Sequence, residues 1–168
     1  MNKYNIIAID LAKNVFQVCK VSPQGKVLYN REVSRAKLKQ LLIKEKLSLV
    51  SMEACSSAHY WARYAKEAGH QVKVINTRSV KGFQTRQKTD RNDTLAIATA
   101  SSLDHIHSIR IQSVEEQAMQ SMERARNLAL TNQIRGKKVA AIALANKTVR
   151  TAYAILKNDL VYQPEKLA

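Results

Sequence analysis

Residues 5–11 read NIIAIDL, a nearly continuous apolar run that ends in the carboxylate of Asp10. A run without alternation has no outward face, so it suits a central strand buried on both sides. Working outward, Val15 to Val21 and Lys26 to Val33 read as second and third strands, joined as a hairpin by the Pro23-Gln24-Gly25 turn. Ser34 is placed to cap a helix that carries Leu38, Leu41 and Leu42 on one face. Leu47 to Met52 predicts a fourth strand that also ends in a carboxylate, Glu53. Residues 57–68 predict a helix with Ala58, Trp61, Ala62, Ala65 and Ala68 inward, ended by Gly69. Gln71 to Asn76 predicts a short fifth strand. A hairpin meander feeding crossover units predicts an α/β fold: a mixed five-stranded sheet with flanking helices, in the element order of the ribonuclease-H/RuvC-like folds.

From residue 113 the pattern turns helical. Val114, Ala118, Met122, Ala125 and Ala129 recur at steps of four and three, as do Ile142, Ala145, Val149, Ala152 and Leu156, with Gly136 between. The expected organisation is a domain over 1–112 and a helical, coiled-coil-like extension with a C-terminal tail over 113–168. The apolar stripes of the long helices suit pairing, so a homodimer through them is expected.

The formal net charge of the 168-residue chain is +15, from 28 Lys and Arg against 13 Asp and Glu. Such an imbalance calls for an anionic partner, nucleic acid or an anionic membrane surface. No apolar run approaches the roughly 20 residues of a spanning helix. Cys19 and Cys55 fit no metal motif and read as buried free thiols of a reducing compartment. A bacterial cytoplasmic, nucleoid-associated location is expected.

Four carboxylates stand out by position. Asp10 and Glu53 end strands that would emerge at one sheet edge if they are neighbours. Asp90 and Asp93, in KTDRNDTLAIA (88–98), are spaced to share one face of a helix. Four converging carboxylates cannot all stay ionised without a cation, and oxygen-only ligands select Mg²⁺ or Mn²⁺. Two such ions about 4 Å apart would clamp the attacking and leaving oxygens of a phosphodiester exchange. Plainer explanations stand beside this one. A strand-end Asp often caps a loop, Asp90 and Asp93 would favour any helix N-terminus, and Asp93 has Lys88 and Arg91 as neighbours.

Between Arg78 and Arg91 lie five basic residues, Arg78, Lys81, Arg86, Lys88 and Arg91, and one acid. This stretch is expected to be a phosphate-contacting loop beside the metal site. Eight basic residues and no acid lie between 124 and 157, among them Arg124, Arg126, Arg135, Lys137 and Lys138, which are expected to bind nucleic acid. His105 and His107 lack a third ligand and read as a surface loop. Trp61 reads as core, with Tyr60 and Tyr64 partly exposed.

IAIDLAKNVFQV, MEACSSAHYWA, KTDRNDTLAIA, SVEEQAMQSMERAR and NQIRG occur in that order and resemble the N-terminal half of Piv/MooV-type DNA invertases and of IS-one-ten family insertion-sequence transposases, over residues 5–136. The resemblance implies a DEDD recombinase with a RuvC-like domain, whose four acids fall on Asp10, Glu53, Asp90 and Asp93. It implies DNA as partner, as element ends or branched DNA, and a structured guide RNA in the insertion-sequence branch. Members continue into a second domain with a serine nucleophile. Here NQIRG runs directly into a segment like the family's extreme C-terminal tail, so the chain resembles a transposase with its middle deleted, and no serine takes over that role. The isolated chain is therefore expected to bind metal and nucleic acid without completing strand exchange. The competing reading is a non-catalytic nucleic-acid-binding regulator or relic. A sugar-kinase-like ATPase is disfavoured because Leu11-Ala12-Lys13-Asn14, without glycine, follows Asp10.

Overall fold

The computed structural model describes residues 3–84, 89–133 and 141–149. The chain divides into two compact units, Met1–Ile111 and Gln112–Ala168.

The first unit is built on five strands: β1 (Ile6–Asp10), β2 (Val15–Val21), β3 (Val27–Ser34), β4 (Leu49–Glu53) and β5 (Gln71–Ile75). Their order in the sheet is β3-β2-β1-β4-β5. β1 pairs antiparallel with β2, and β2 with β3, while β1–β4 and β4–β5 are parallel. This is the mixed, ribonuclease-H/RuvC-like sheet expected from the order of elements. The apolar run lies at its centre: Ile6, Ile7, Ala8 and Ile9 are all buried.

Period-two alternation divides β1 between two cores. Ile7 and Ile9 join Phe16, Val18, Val50 and Met52 under helices α1 (Arg35–Lys44) and α2 (Ala58–Glu67). Ile6 and Ala8 join Cys19, Val21 and Ile75 under α3 (Thr77–Lys81) and α4 (Asp90–Ser101). Small residues on α4, Ala96, Ala98 and Ala100, let it lie close to the sheet. Trp61 is fully buried and meets Phe16 edge to face, ring centroids 5.2 Å apart, so it is core as expected.

Caps fall where the sequence places them. The Ser34 hydroxyl accepts from Lys37 N at the start of α1. Gly69 takes a positive φ of 86° after α2, a conformation that costs residues with a Cβ. Gly25 does the same in the hairpin turn, at 85°.

Two expectations need correction. Arg78 and Lys81 lie on a helical turn, α3, instead of in an open loop, because the Asn76 side chain accepts from Arg78 N and starts the turn. Cys55 is exposed, since it follows the end of β4 where the chain leaves the sheet; only Cys19 is buried, and burial pushes its thiol up to about 11.

In the second unit, α5 (Val114–Gln133) carries exposed Met119 and Met122, and residues 141–149 are helical. The expected helical positions Ala152 and Leu156, and Gly136, lie outside the described residues. No helix among the described residues is long and apolar enough to cross a membrane.

Candidate metal centre

β1 and β4 are parallel neighbours in register, Ile9 opposite Met52, so Asp10 and Glu53 end their strands side by side at the carboxyl edge of the sheet. Continuing the alternation from Ala8 and Ser51, both lie on the face that α4 covers. The start of α4 is set by Thr89, whose hydroxyl accepts from Asn92 N. That places Asp90 and Asp93 in the first turn, three apart and on one face. The amide dipoles of a helix N-terminus favour acids there, which lowers the cost of gathering them.

The result is a cluster. One carboxylate oxygen from each of Asp10, Asp90 and Asp93 lies within 4.8 Å of the others. Glu53 is not in this mutually close set, though its charge reaches Asp10. Asp10 is half-buried, and its carboxyl is held above the usual aspartate value. Burial is the largest cause, followed by the charges of Asp90, Asp93 and Glu53, against a hydrogen bond from the Leu11 backbone. Among the described residues no lysine or arginine pairs with the three acids; the ion pair present there, Lys20–Glu45, lies elsewhere.

Three carboxylates at this separation, without a cationic partner among the described residues, fit a hard divalent ion. It would neutralise them and take their oxygens as ligands, and nothing softer than oxygen is offered. Features of the plainer readings are present as well: Asp10 accepts from the Leu11 backbone at its strand end, and Asp90 and Asp93 stand in the first turn of α4, where the helix dipole favours acids. Asp93 accepts from Gln84 Nε2 at 3.1 Å, and among the described residues no ion pair joins it to Arg91.

Of the basic residues, Arg78 and Lys81 on α3, Arg91 on α4, and Arg124 and Arg126 on α5 are exposed. Arg86, Lys88, Arg135, Lys137 and Lys138 lie outside the described residues. His105 and His107 are exposed in an irregular segment anchored by buried Ile106. Sequence reasoning missed Asn30 on β3, whose amide donates to the Arg91 carbonyl in the first turn of α4, and Gln17 on β2, whose amide donates to Asn30. The signal available was Gln17 itself, a polar residue inside the apolar run Val15–Val21.

Comparison with known proteins gives the family of the chain. The family model for DEDD transposases of IS110 elements, described as Transposase, matches residues 7–147. The chain is 37% identical over 168 residues to a probable family 20 transposase of Pseudomonas aeruginosa, covering 96% of this chain and 50% of that one. It is 36% identical over 142 residues to the transposase for insertion sequence element IS1111A of Coxiella burnetii, covering 81% of this chain and 39% of that one. The chain thus spans half or less of the length of these two relatives. Among solved structures, RuvC of Thermus thermophilus is similar at 15% identity and a TM-score of 0.48, covering 62% of this chain and 99% of that one. The family match, over most of the chain, defines a domain of the transposase class. The chain belongs to the IS110 family of DEDD transposases.

Proposed function

We propose that residues 1–112 form a divalent-metal-dependent catalytic domain for phosphodiester exchange on DNA, and that 113–168 is a helical extension that helps hold nucleic acid. Asp10, Asp90 and Asp93 would hold Mg²⁺ or Mn²⁺, with Glu53 at the neighbouring strand end completing the acidic set. When bound, the ion offsets the negative charge of the site and polarises a phosphodiester for attack. The observation that carries this reading is the close approach of the three carboxylates, with Asp10 half-buried among them.

The chain's own residues supply the rest. Asp10 fixes the site to the centre of the sheet, and α4 brings Asp90 and Asp93 over it. Arg78, Lys81 and Arg91 are exposed on the two elements nearest in sequence to the acids and suit phosphate contacts; Arg86 and Lys88 complete that basic stretch in sequence. Arg124, Arg126, Arg135, Lys137 and Lys138 would extend the same role along the helical unit. The partner is DNA, as element ends or branched junctions, joined by a structured guide RNA as the family resemblance implies. Exposed Met119 and Met122 support pairing of α5 in a homodimer. The setting would be the bacterial cytoplasm, with the nucleoid.

The test is a binding and nicking assay on branched DNA with Mg²⁺ or Mn²⁺, comparing the wild type with Asp10→Ala. Metal-dependent nicking, or metal-strengthened binding, that is lost in the variant is expected. Equal behaviour of the two proteins, with and without metal, would overturn the assignment.

A further inference from the structure

We propose that Gln17, Asn30 and Thr94 form a polar clamp that sets the position of the acidic first turn of α4 over Asp10. It rests on the metal-centre reading only for its consequence, not for its geometry.

Register places all the partners on one face. Asp10 pairs with Gln17 and Cys19 pairs with Asn30, and directly opposed residues share a side of the sheet. Cys19 packs in the core under α4, so Gln17 and Asn30 lie under α4 as well. Gln17 is only 5% exposed. Its amide donates to Asn30 Oδ1 at 2.6 Å. Asn30 Nδ2 donates in turn to the carbonyl of Arg91 at 3.0 Å, across 61 residues of chain. The Thr94 hydroxyl lies 3.3 Å from the same Asn30 oxygen, and within 3.0 and 2.9 Å of the Asp90 and Arg91 carbonyls. The single Thr94 proton is shared among these three acceptors, so the firm donor to Asn30 Oδ1 is Gln17, while Asn30 Nδ2 holds a helix carbonyl that lies between Asp90 and Asp93 in sequence.

Apolar packing alone specifies this position poorly. The face of α4 that meets the sheet is rich in alanine, which allows close approach but offers few ridges to resist sliding. A directional hydrogen bond does resist it: displacement of α4 would break the bond from Asn30 Nδ2 to the Arg91 carbonyl, while the nearly buried Gln17 amide, held on Asn30 Oδ1, fixes which way the Asn30 amide points. Gln17 neighbours Asp10 directly, so the clamp lies one strand from the site it adjusts. Asn30 and Thr94 are positioning residues: Asn30 on β3 meets the first turn of α4, Thr94 meets Asn30 from within that helix, and the helix carries the ligands.

The test uses the full chain with Thr94→Val, which removes the hydroxyl at constant shape, Asn30→Leu, and Thr94→Ser as the conservative rescue. Ile97→Val, a core change on the same helix, is the control for loss of stability alone. Two quantities are measured: Mn²⁺ affinity by calorimetry, and amide hydrogen exchange along α4 in chelator. Thr94→Val and Asn30→Leu are expected to weaken Mn²⁺ binding by about tenfold, as loss of outer-shell support does. They are also expected to speed exchange in the first turn of α4, with Thr94→Ser near wild type. Ile97→Val is expected to leave the affinity unchanged. Unchanged exchange in that turn, or affinity losses that merely follow the melting temperature as in the control, would overturn the clamp. A wild type that binds no Mn²⁺, with first-turn exchange still accelerated in the variants, would sink the metal-centre reading and leave the clamp supported.

Discussion

Asp10 concentrates the electrostatic cost of the fold. It is half-buried beside two carboxylates with no cationic partner among the described residues, so its ionised form is disfavoured in the folded chain. A carboxyl held above its ordinary value of 3.8 weakens folding as pH rises through the folded value, and costs nothing well below 3.8. In chelator near neutral pH, Asp10→Asn should therefore raise the melting temperature by a few degrees, the size of shift that ~1 kcal/mol produces. The gain should disappear in acid, where the wild type is protonated, and should reverse in saturating Mn²⁺, which stabilises only the form that binds it. Thermal melts of both proteins with chelator and with Mn²⁺ check this. A variant less stable than the wild type in chelator would make Asp10 a structural residue instead.

His70 ties three elements together in the same economical way. It is 6% exposed; its Nδ1 accepts from Ser48 N at 3.2 Å and its Nε2 donates to the Leu42 carbonyl at 2.7 Å. It thus joins the end of α1, the approach to β4 and the turn after α2. His70→Ala would leave a buried N–H and a buried carbonyl unpaired and should cost about 2–4 kcal/mol, read from denaturant unfolding. A loss under about 1 kcal/mol, the value of one ordinary hydrogen bond, would mean water replaces the ring. Elements of this kind mark how far sequence reading reaches. β1, β2 and the two flanking helices were legible because local composition, alternation and caps such as Ser34 and Gly69 all agree. Asp10, Glu53, Asp90 and Asp93 were legible as strand-end and i, i+3 positions. The His70 tie and the Asn30–Arg91 bond were not, because they join residues 22 to 61 apart in sequence, and nothing local says which distant carbonyl an amide will meet. The α3 turn was missed for a smaller reason: five residues carry too little periodicity to stand out from a basic loop.

At the scale of the whole molecule, an acidic cluster sits in a chain of net charge +15. The two opposite charges ask for the same partner in different ways. Lysines and arginines attract a phosphate backbone without help, while three carboxylates repel it until a cation is bound. Affinity for duplex DNA should therefore fall steeply with salt, with a log–log slope of about −0.9 for each phosphate neutralised. Charge reversal at Arg78 and Lys81, both exposed on α3, should lower that slope by roughly 0.9 for each contact removed. It should weaken binding to unrelated sequences alike, because phosphate contacts carry no base information. The same reversal at Lys137 and Lys138 tests the helical unit separately. The metal-dependent part is distinguished by Ca²⁺, a hard oxygen-seeking ion: at fixed ionic strength it should strengthen binding by the wild type more than by Asp10→Asn, since the variant has less repulsion to remove. Fluorescence anisotropy across a salt series, with and without Ca²⁺, measures both effects together. Binding indifferent to salt would refute the phosphate surface. An equal Ca²⁺ effect in the wild type and in Asp10→Asn would instead show that the acidic cluster lies apart from the path of the DNA.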